Sequence, residues 1–442
     1  MSVSFYCGAW SDDEDDDDDD DEHSSPGSAY GDDLHLDVGT LIVSPSSEYM
    51  VESVMGCGAF GTVVHCKNVS NNDSVALKII METKFNVDAR KEVTDPLPRS
   101  TPKPAVFLGH LSHTQTDRMY TLKVETLELL KNFNLEKYNI VKWYGSFVHE
   151  GHYCHEFEKL DMSLYQYQTT MKACLELREI RPILQQVALS LQLLKSLGIA
   201  HTDLKPDNIM LVDHVHQPLR VKVIDFGTAI LISDRCKGPE LQTLWFRSPE
   251  ILLGASFNEA IDIWSLGCIA AELFMGKALF PSNDEFDMMR HILRIIGKPP
   301  NHLLNTGAYT KQFFQHYSAR SEQKKPDLWI FRSYLHTWAC RPCTLNSLTD
   351  LLEGSEELSG EDARADDLDK RSFVELLVKM LQLDPTERIK PQQLLQHPFI
   401  TMSHLVGDFT DCQYVKSSRE LLNEHLAQSI LNQGDVQQSE TA

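Results

Sequence analysis

Short runs of β-branched and aromatic residues open the globular part of the chain at about Tyr49. These runs are YMVESVMG, GTVVHCKN and SVALKIIM, and Gly or Asn and Asp residues separate them. Two further runs, NIVKWYGSFV and HYCHEFEKL, follow later. Strand-like runs spaced by turn residues are typical of neighbouring antiparallel strands. The first part of the chain is therefore predicted to form an antiparallel sheet.

Farther along, apolar residues recur every three to four positions, which is the period of an amphipathic helix. One long helix is predicted to end at Gly198, with the apolar positions Ile180, Ile183, Leu184, Val187, Leu191 and Leu194. The run IDIWSLGCIAAELFMG is apolar on nearly all sides, which predicts a buried central helix. A shorter helical stretch is predicted from about Thr121.

Strands followed by helices predict an α+β fold of two lobes. We expect an antiparallel sheet lobe with one main helix over residues 49–160 and a larger helical lobe over residues 161–405. Residues 1–48 are expected to form a disordered acidic tail, because like charges repel and nothing there can be buried. Residues 406–442 are expected to form a polar, loosely tied C-terminal extension.

Charge and cysteine content exclude several classes of protein. The net charge is −23, and the run of acids at Asp12–Glu22 leaves −12 on the remainder, which argues against direct binding to nucleic acid. No apolar stretch reaches the length of about 18 residues that a membrane span needs. The ten cysteines lack a framework spacing, and Cys340 and Cys343 lack the second pair that structural zinc requires. We therefore expect a reducing compartment, no membrane segment and no zinc.

The stretch GCGAFGTV carries Gly56, Gly58, Gly61 and Val63 between two strand-like runs. A glycine pattern of this kind can open a dinucleotide-binding helix, but no helical pattern follows it. We favour a hairpin whose backbone approaches a phosphate chain closely, where side chains would block the approach. Val63 would then cover a purine ring.

The run VALK places Lys78 in a strand-like segment after this hairpin. A lysine there can neutralise the α- and β-phosphates of a nucleotide when an acidic partner holds it. Glu125 is the preferred partner on the following helix, and Glu128, one turn on, is the alternative.

Two later stretches add acids and an amide. In AHTDLKPDNIMLVD, Asp203 can orient a hydroxyl for attack, Lys205 can neutralise the transferred phosphoryl group, and Asn208 offers oxygen to Mg²⁺. In VKVIDFGTA, Asp225 follows a strand-like run and suits the principal Mg²⁺ ligand. Because phosphoryl transfer mainly needs aligned oxygens and cancelled charge, the four stretches together predict that chemistry.

From Gly56 to about Ile400 the chain resembles eukaryotic protein kinases, and within them the homeodomain-interacting protein kinases of the proline-directed branch. The segments that carry the narrower resemblance are LKSLGIAHTDLKPDNIMLVDHVHQPLRVKVIDFG, FRSPEILLG, AIDIWSLGCIAAELF and LDPTERI. The resemblance implies an ATP cleft between two lobes. It also implies that ATP is bound by further residues, namely Ala76, Glu158, Leu160 and Met210.

The same resemblance implies supporting contacts outside the cleft. Glu250 and Arg388 would form a buried ion pair, and Asp262 would brace the backbone of the catalytic loop. Thr202 stands where many kinases have the arginine of His-Arg-Asp, so a contact between that arginine and an activation-loop phosphate is not expected.

Two other departures concern loops. Glu240 stands where the relatives have a self-phosphorylated tyrosine, and we expect its charge to act near Arg247. Four prolines between Pro96 and Pro104 predict a loop, and residues 92–120 are interpreted as an insertion between Lys78 and Glu125. Loops tolerate added length at small entropic cost, so the ion pair can survive it.

These observations lead to one main hypothesis, an ATP- and Mg²⁺-dependent protein serine/threonine kinase, with Pro expected after the target residue. The alternative is a pseudokinase scaffold that binds nucleotide and partners without catalysis, and a weaker third option is a small-molecule kinase. From the resemblance we expect protein substrates, including transcription regulators, a monomeric chain, and a location in the nucleus or cytoplasm.

Overall fold

The computed structural model describes eight segments of the chain, which are residues 36–58, 61–80, 124–232, 241–317, 328–332, 345–353, 360–407 and 409–423. The acidic run, the proline-rich segment, Glu240 and the Cys340/Cys343 pair lie outside the described residues. The chain divides into two compact units, one comprising residues 1–110 and 143–159 and the other residues 111–142 and 160–442.

The first unit contains a six-stranded antiparallel sheet in the order β1-β2-β3-β4-β6-β5. Its strands are β1 Leu41–Val43, β2 Glu48–Gly58, β3 Gly61–Asn68, β4 Ser74–Ile80, β5 Trp143–His149 and β6 His152–Glu158. The predicted antiparallel sheet is confirmed. It begins earlier than the predicted boundary at residue 49, because Leu41 pairs with Met50 and Ile42 with Tyr49. Ile42 is fully buried, so a single apolar side chain anchors β1 to the sheet core.

Alternation along the strands separates the two faces of this sheet. One face is the core, where Val64, Leu77, Ile79 and Cys154 are fully buried. Lys78, between two of these core residues, points to the opposite face. The chain leaves the first unit between Lys159 and Leu160.

The second unit is mainly helical. Its helices are α1 124–131, α2 Leu164–Thr170, α3 Leu177–Ser196, α4 Pro249–Leu252, α5 Ala260–Met275, α6 Glu285–Ile295, α7 Asn301–Thr306, α8 Thr310–Phe313, α9 Glu361–Met380, α10 Pro391–Leu395, α11 Pro398–Thr401 and α12 413–423. Its strands are three antiparallel pairs, in which β7 Ile199–Ala200 pairs with β10 Ile230–Leu231, β8 Ile209–Asp213 with β9 Gln217–Val223, and β11 Phe314–Tyr317 with β12 Leu328–Phe331.

Helices α3 and α5 form the centre of this unit, and both predicted helices are confirmed. All six apolar positions that predicted α3 are buried. The helix ends at Ser196, and Gly198 takes the left-handed conformation with φ 68° that commonly follows a helix. Nearly every residue of α5 is buried, which explains its apolar sequence on all sides.

A buried ion pair between Glu250 and Arg388 joins α4 to the segment before α10, as the resemblance implied. The contacts are bidentate, at 2.6 Å for Nη1 to Oε1 and 3.0 Å for Nη2 to Oε2. Both side chains are fully buried, and Arg388 also donates to the Ala260 carbonyl. Removing one partner of such a pair leaves an uncompensated buried charge, which typically costs about 3–5 kcal/mol.

The expectation of a loosely tied C-terminal extension from residue 406 is wrong for residues 409–423. Cys412 and Val415 are buried together with Ala365, Met402 and Leu405. The Tyr414 hydroxyl donates to Asp369 Oδ2 at 2.6 Å. Phe409, Tyr414 and Leu422 pack against the same cluster, so a few apolar side chains scattered in a polar segment dock α12.

Asp369, which receives Tyr414, is completely buried. It also receives the Arg181 guanidinium from α3 and His404 Nε2 at 3.0 Å. Burial alone would raise the pKa of Asp369, but these donors outweigh burial and lower the pKa. Within the described ranges, no helix combines the length and the apolar character that a membrane crossing requires.

Glu272 on α5 has the opposite environment. Burial, with a smaller contribution from the carboxylate of Asp207, raises the pKa of Glu272 to about 7. Among the described residues, its Oε2 has no hydrogen-bond partner. Ionising this carboxyl therefore costs more in the folded than in the unfolded chain.

We expect the Glu272→Gln variant to be more stable than the wild-type protein above pH 7, with the difference disappearing at low pH. Because the folded-state pKa is raised, the stabilising contribution of the acid is fully present below the unfolded pKa and is lost as the pH rises to about 7. The difference is at most about 3 kcal/mol. Urea unfolding from about pH 5 to about pH 8 measures it. The exposed Glu387→Gln variant is the control, and a Glu272→Gln profile parallel to wild type would contradict the argument.

Candidate active site

The hairpin of β8 and β9 brings two candidate metal ligands to the same end of a strand pair. Ile209 at the start of β8 pairs with Val223 at the end of β9. Asn208 directly precedes Ile209, and Asp225 follows two residues after Val223. The Ile224 N–H donates to the Asn208 carbonyl at 3.0 Å, which closes this end of the hairpin. Antiparallel pairing therefore places residues that are 17 positions apart in sequence beside each other.

The side chains of Asp203, Lys205 and Asn208 meet in the loop before β8. Lys205 Nζ is 3.0 Å from Asp203 Oδ2, and both side chains are partly exposed. Asn208 Nδ2 donates to the Asp203 carbonyl at 2.7 Å and to Asp203 Oδ2 at 3.2 Å. Because both acceptors are oxygens, the amide nitrogen must face Asp203 and the amide oxygen faces away from it. The amide oxygen is therefore not used in these contacts with Asp203.

Asp203 also contacts a residue that was not singled out in the sequence. The Thr243 hydroxyl donates to Asp203 Oδ1 at 2.7 Å and accepts from Lys205 Nζ at 3.2 Å. Thr243 therefore bridges the acid and the amine from a segment about 40 residues away in sequence. Its only sequence signal is a hydroxyl residue shortly before RSPE, and attention to charged positions passes over such a residue.

Asp262 on α5 binds the backbone of the loop directly before Asp203. Its Oδ2 accepts the His201 N–H at 2.7 Å and its Oδ1 accepts the Thr202 N–H at 3.0 Å, which confirms the predicted bracing role. Burial raises the pKa of Asp262, while these two N–H groups act in the opposite direction. The carboxylate thus orders two consecutive residues directly before Asp203.

His201 links the loop to the segment that carries Asp225. Its Nε2 lies 2.9 Å from the Ile224 carbonyl, and its Nδ1 lies 3.2 Å from the Asp203 N–H. These partners assign the tautomer with hydrogen on Nε2. Asp225 itself has φ 57°, and its Oδ1 accepts the Gly227 N–H at 3.2 Å. This left-handed turn aims the carboxylate out of the strand direction.

In the first unit, the residues predicted for phosphate and purine contacts share one face of the sheet. Val63 pairs with both Gly56 and Lys78 across neighbouring strands. Ala76 lies two residues from Lys78 and has the same orientation. This face is opposite to the apolar core, so the sheet presents a lysine and small or branched side chains together.

Gly61 is required by its surroundings. It has φ 124°, and a Cβ at this position would lie 2.0 Å from the Ile79 carbonyl oxygen. At Gly56, by contrast, a Cβ would meet no described atom within 4 Å. Gly58 pairs with Gly61 at the end of β2 and β3, which confirms the predicted hairpin.

The remaining candidate residues lie in separate places. Glu158 ends β6 in the first unit, whereas Glu125 on α1, the buried Leu160 and Met210 on β8 belong to the second unit. Glu125 and its alternative Glu128 are both exposed on α1. The expected pairing of Lys78 with Glu125 joins the two units and stays a prediction.

Arg247, which was expected near Glu240, has other partners among the described residues. Its Nη1 is 2.5 Å from Glu285 Oε1, and its Nε and Nη2 donate to the Gln242 carbonyl at 3.1 and 2.9 Å. Since Glu240 lies outside the described residues, its proposed charge effect stays a prediction.

Comparison with known proteins identifies the family to which this chain belongs. A model of the protein kinase domain matches residues 110–400. The chain belongs to the protein kinase family. The matched segment includes Asp203, Asn208 and Asp225, whereas the glycine hairpin and Lys78 precede that segment.

Individual relatives extend this likeness over more of the chain. The kinase is 38% identical over 384 residues to homeodomain-interacting protein kinase 1 of Mus musculus, which covers 85% of this chain and 29% of the relative. It is 37% identical over 409 residues to homeodomain-interacting protein kinase 2 of Mesocricetus auratus, covering 91% of this chain and 32% of the relative. It is 32% identical over 392 residues to homeodomain-interacting protein kinase 4 of Homo sapiens, covering 85% and 59%. The chain thus spans between about a third and three fifths of these relatives.

We expect the Thr243→Val variant to transfer phosphate to a protein substrate about tenfold more slowly than wild type, because one hydrogen bond to the Asp203 carboxylate is lost. Thr243→Ser keeps the hydroxyl and should retain most of the rate. Radiolabel transfer at matched substrate concentrations measures both variants. Equal rates in Thr243→Val and wild type would show that the bridge does not contribute.

Proposed function

We propose that this protein is an ATP- and Mg²⁺-dependent protein serine/threonine kinase. The observation that carries the proposal is the set of contacts around Asp203. This carboxylate touches an amine at 3.0 Å, a hydroxyl at 2.7 Å and the amide of a candidate metal ligand at 3.2 Å. A kinase needs these groups at the place where a substrate hydroxyl attacks the terminal phosphate.

Each residue would have a separate task. Asp203 would accept the hydrogen bond of the incoming Ser or Thr hydroxyl, orient its oxygen and take up its proton. Lys205 would balance the negative charge on the transferred phosphoryl group. Lys78, held by Glu125, would anchor the α- and β-phosphates. The glycine hairpin with Val63 and Ala76 would cover the nucleotide, while Glu158, Leu160 and Met210 contact the adenine.

The donor set fits magnesium. Mg²⁺ prefers oxygen ligands and usually takes only one or two carboxylates from protein, with phosphates and water completing its shell. Asp225 and the outward-facing amide oxygen of Asn208 provide such a set, and no group of three or more His, Cys, Asp or Glu suited to a metal occurs among the described residues. The bound ion would neutralise phosphate charge.

The Asp203→Asn variant is expected to lose about 10²- to 10⁴-fold of the rate of phosphoryl transfer, because the amide cannot accept the hydroxyl proton. Transfer of radiolabelled phosphate from ATP to a generic protein substrate measures this rate. The matched control is Asp213→Asn at the C-terminal end of β8, which should retain wild-type activity. An ATP·Mg²⁺-dependent rise in melting temperature should persist in both variants.

The same assay separates the enzyme from a scaffold. If the wild-type protein is stabilised by ATP and Mg²⁺ but transfers no phosphate, it is a nucleotide-binding pseudokinase. Undiminished transfer by Asp203→Asn would remove Asp203 from the mechanism.

We also infer a preference for Pro directly after the target residue. Gln242 precedes Thr243 and has φ 66°, and its carbonyl accepts two hydrogen bonds from Arg247. That carbonyl is therefore taken and is not offered to the N–H of a bound peptide. A residue without an N–H loses nothing there, and proline is the residue that lacks it.

A peptide with Ser-Pro is expected to be phosphorylated about tenfold faster than its Ser-Ala counterpart, a ratio that corresponds to one unmet hydrogen bond. Arg247→Ala frees the Gln242 carbonyl and should reduce this preference. Glu285→Gln removes the other partner of Arg247 and should leave the preference in place. A degenerate peptide array that shows no selection for Pro would contradict the inference.

The relatives' names describe proteins that interact with homeodomains. On that basis we propose transcription regulators among the protein substrates. We also propose a location in the nucleus or cytoplasm. The kinase would act as a monomer and without direct contact to nucleic acid. Fluorescence of a tagged full chain tests the location, and sedimentation tests the monomer.

A further inference from the structure

Thr202, directly before Asp203, has an unfavourable backbone conformation for its residue type. Its φ is 67°, in the left-handed region, where a β-branched side chain is strained and glycine or asparagine is tolerated. The residue is completely buried. A threonine in this position therefore needs compensation from the contacts that its side chain makes.

The Thr202 hydroxyl makes one short hydrogen bond. It donates to the Thr228 carbonyl at 2.6 Å. Thr228 ends the turn Phe226–Thr228 that follows Asp225. The Thr228 hydroxyl returns a longer contact of 3.4 Å to the His201 carbonyl, so the two threonines tie the two segments together from both sides.

Together with the hydrogen bonds of Ile224, this link holds the chain on both sides of Asp225. On the N-terminal side of Asp225, Ile224 is held by its N–H to the Asn208 carbonyl and by its carbonyl to His201. On the C-terminal side, the link from Thr202 to Thr228 holds the turn. Because Asp262 also fixes the N–H of Thr202, the Thr202 hydroxyl ties the position of the turn to α5.

We propose that Thr202 is a positioning residue whose hydroxyl, through the Thr228 carbonyl, holds the Asp225 carboxylate in register with Asp203. The role rests on the proposed phosphoryl transfer, in which Asp225 binds the metal and Asp203 orients the acceptor hydroxyl. The link is neutral and lies within the chain, so this alignment needs no phosphate group on another segment.

Three substitutions at Thr202 separate the hydroxyl from the shape and the strain. Thr202→Ser keeps the hydroxyl, Thr202→Val keeps the branched shape and removes the hydroxyl, and Thr202→Gly removes both the hydroxyl and the strain. Thr306→Val is the control, because the Thr306 hydroxyl donates to the His302 and Leu303 carbonyls of its own helix, α7. Each variant is assayed for kcat, for KM of the peptide and for the Mg²⁺ concentration that gives half of the maximal rate.

We expect Thr202→Val and Thr202→Gly to lower kcat about fivefold, as the loss of one neutral hydrogen bond implies. The Mg²⁺ requirement should rise in both, while KM for the peptide stays unchanged. Thr202→Ser and Thr306→Val should resemble wild type. Thr202→Gly should melt at the wild-type temperature or about 2 °C higher, because the strain is relieved while the link is lost.

A fall of activity and melting temperature together in Thr202→Gly, with unchanged Mg²⁺ dependence, would overturn the proposal, since a purely structural residue behaves in that way. Wild-type kcat in Thr202→Val would overturn it as well.

Amide hydrogen exchange in the nucleotide-free chain tests the link even if the wild-type protein transfers no phosphate. The Gly227 and Ala229 amides should exchange faster in Thr202→Val and Thr202→Gly than in Thr202→Ser. Equal exchange in all three variants would reject the link without reference to catalysis.

Discussion

One buried carboxylate controls the backbone on which the candidate chemistry depends. Asp262 lies on α5, a largely buried helix of the second unit, and binds the N–H groups of His201 and Thr202. Two N–H donors on one carboxylate fix both the position and the direction of the chain that enters Asp203. His201 and Asn208 then hold Ile224, directly before Asp225, and Thr202 holds Thr228, at the end of the turn that follows Asp225. The candidate metal ligands and the candidate catalytic acid are thus positioned from the same helix.

The hairpin of β8 and β9 supplies the second constraint. Its register brings Asn208 and Asp225 to the same end, so strand pairing places them close together although they are far apart in sequence. Thr243 then joins from a third segment and bridges Asp203 and Lys205. Within the second unit, acid, amine, hydroxyl and amide are preorganised by short hydrogen bonds, so little reorganisation would accompany the reaction. In the first unit, Lys78 and Val63 lie on the face of the sheet opposite its hydrophobic core.

Features with a local cause could be predicted from the sequence. The spacing of Ile180 to Leu194 defines α3, and the strand-like runs define the sheet, because each pattern reflects burial of one face of a single element. Asp203 and Asn208 were recognisable since they lie in one short stretch. Asp262 and the Glu250–Arg388 pair came from the resemblance and not from any local pattern.

Features that depend on distant partners were not predictable in this way. Thr243 acts only through Asp203, some 40 residues away, and nothing in its neighbourhood indicates that contact. Strand β1 is anchored by Ile42 and helix α12 by a few scattered apolar side chains, and the composition around them is that of a tail. The left-handed conformation of Thr202 is imposed by Asp262 and opposes the local preference of threonine, so local reasoning points the other way.

The docking of α12 has a consequence for the size of the folding unit. The kinase-domain match ends at residue 400, but Asp369 draws its donors from α3, from His404 and from Tyr414, which lies beyond that limit. A fragment cut at residue 400 would keep Asp369 and Arg181 but lose the two donors His404 and Tyr414. Residues 409–423 are therefore packed as part of the helical unit, beyond the limit of the domain match.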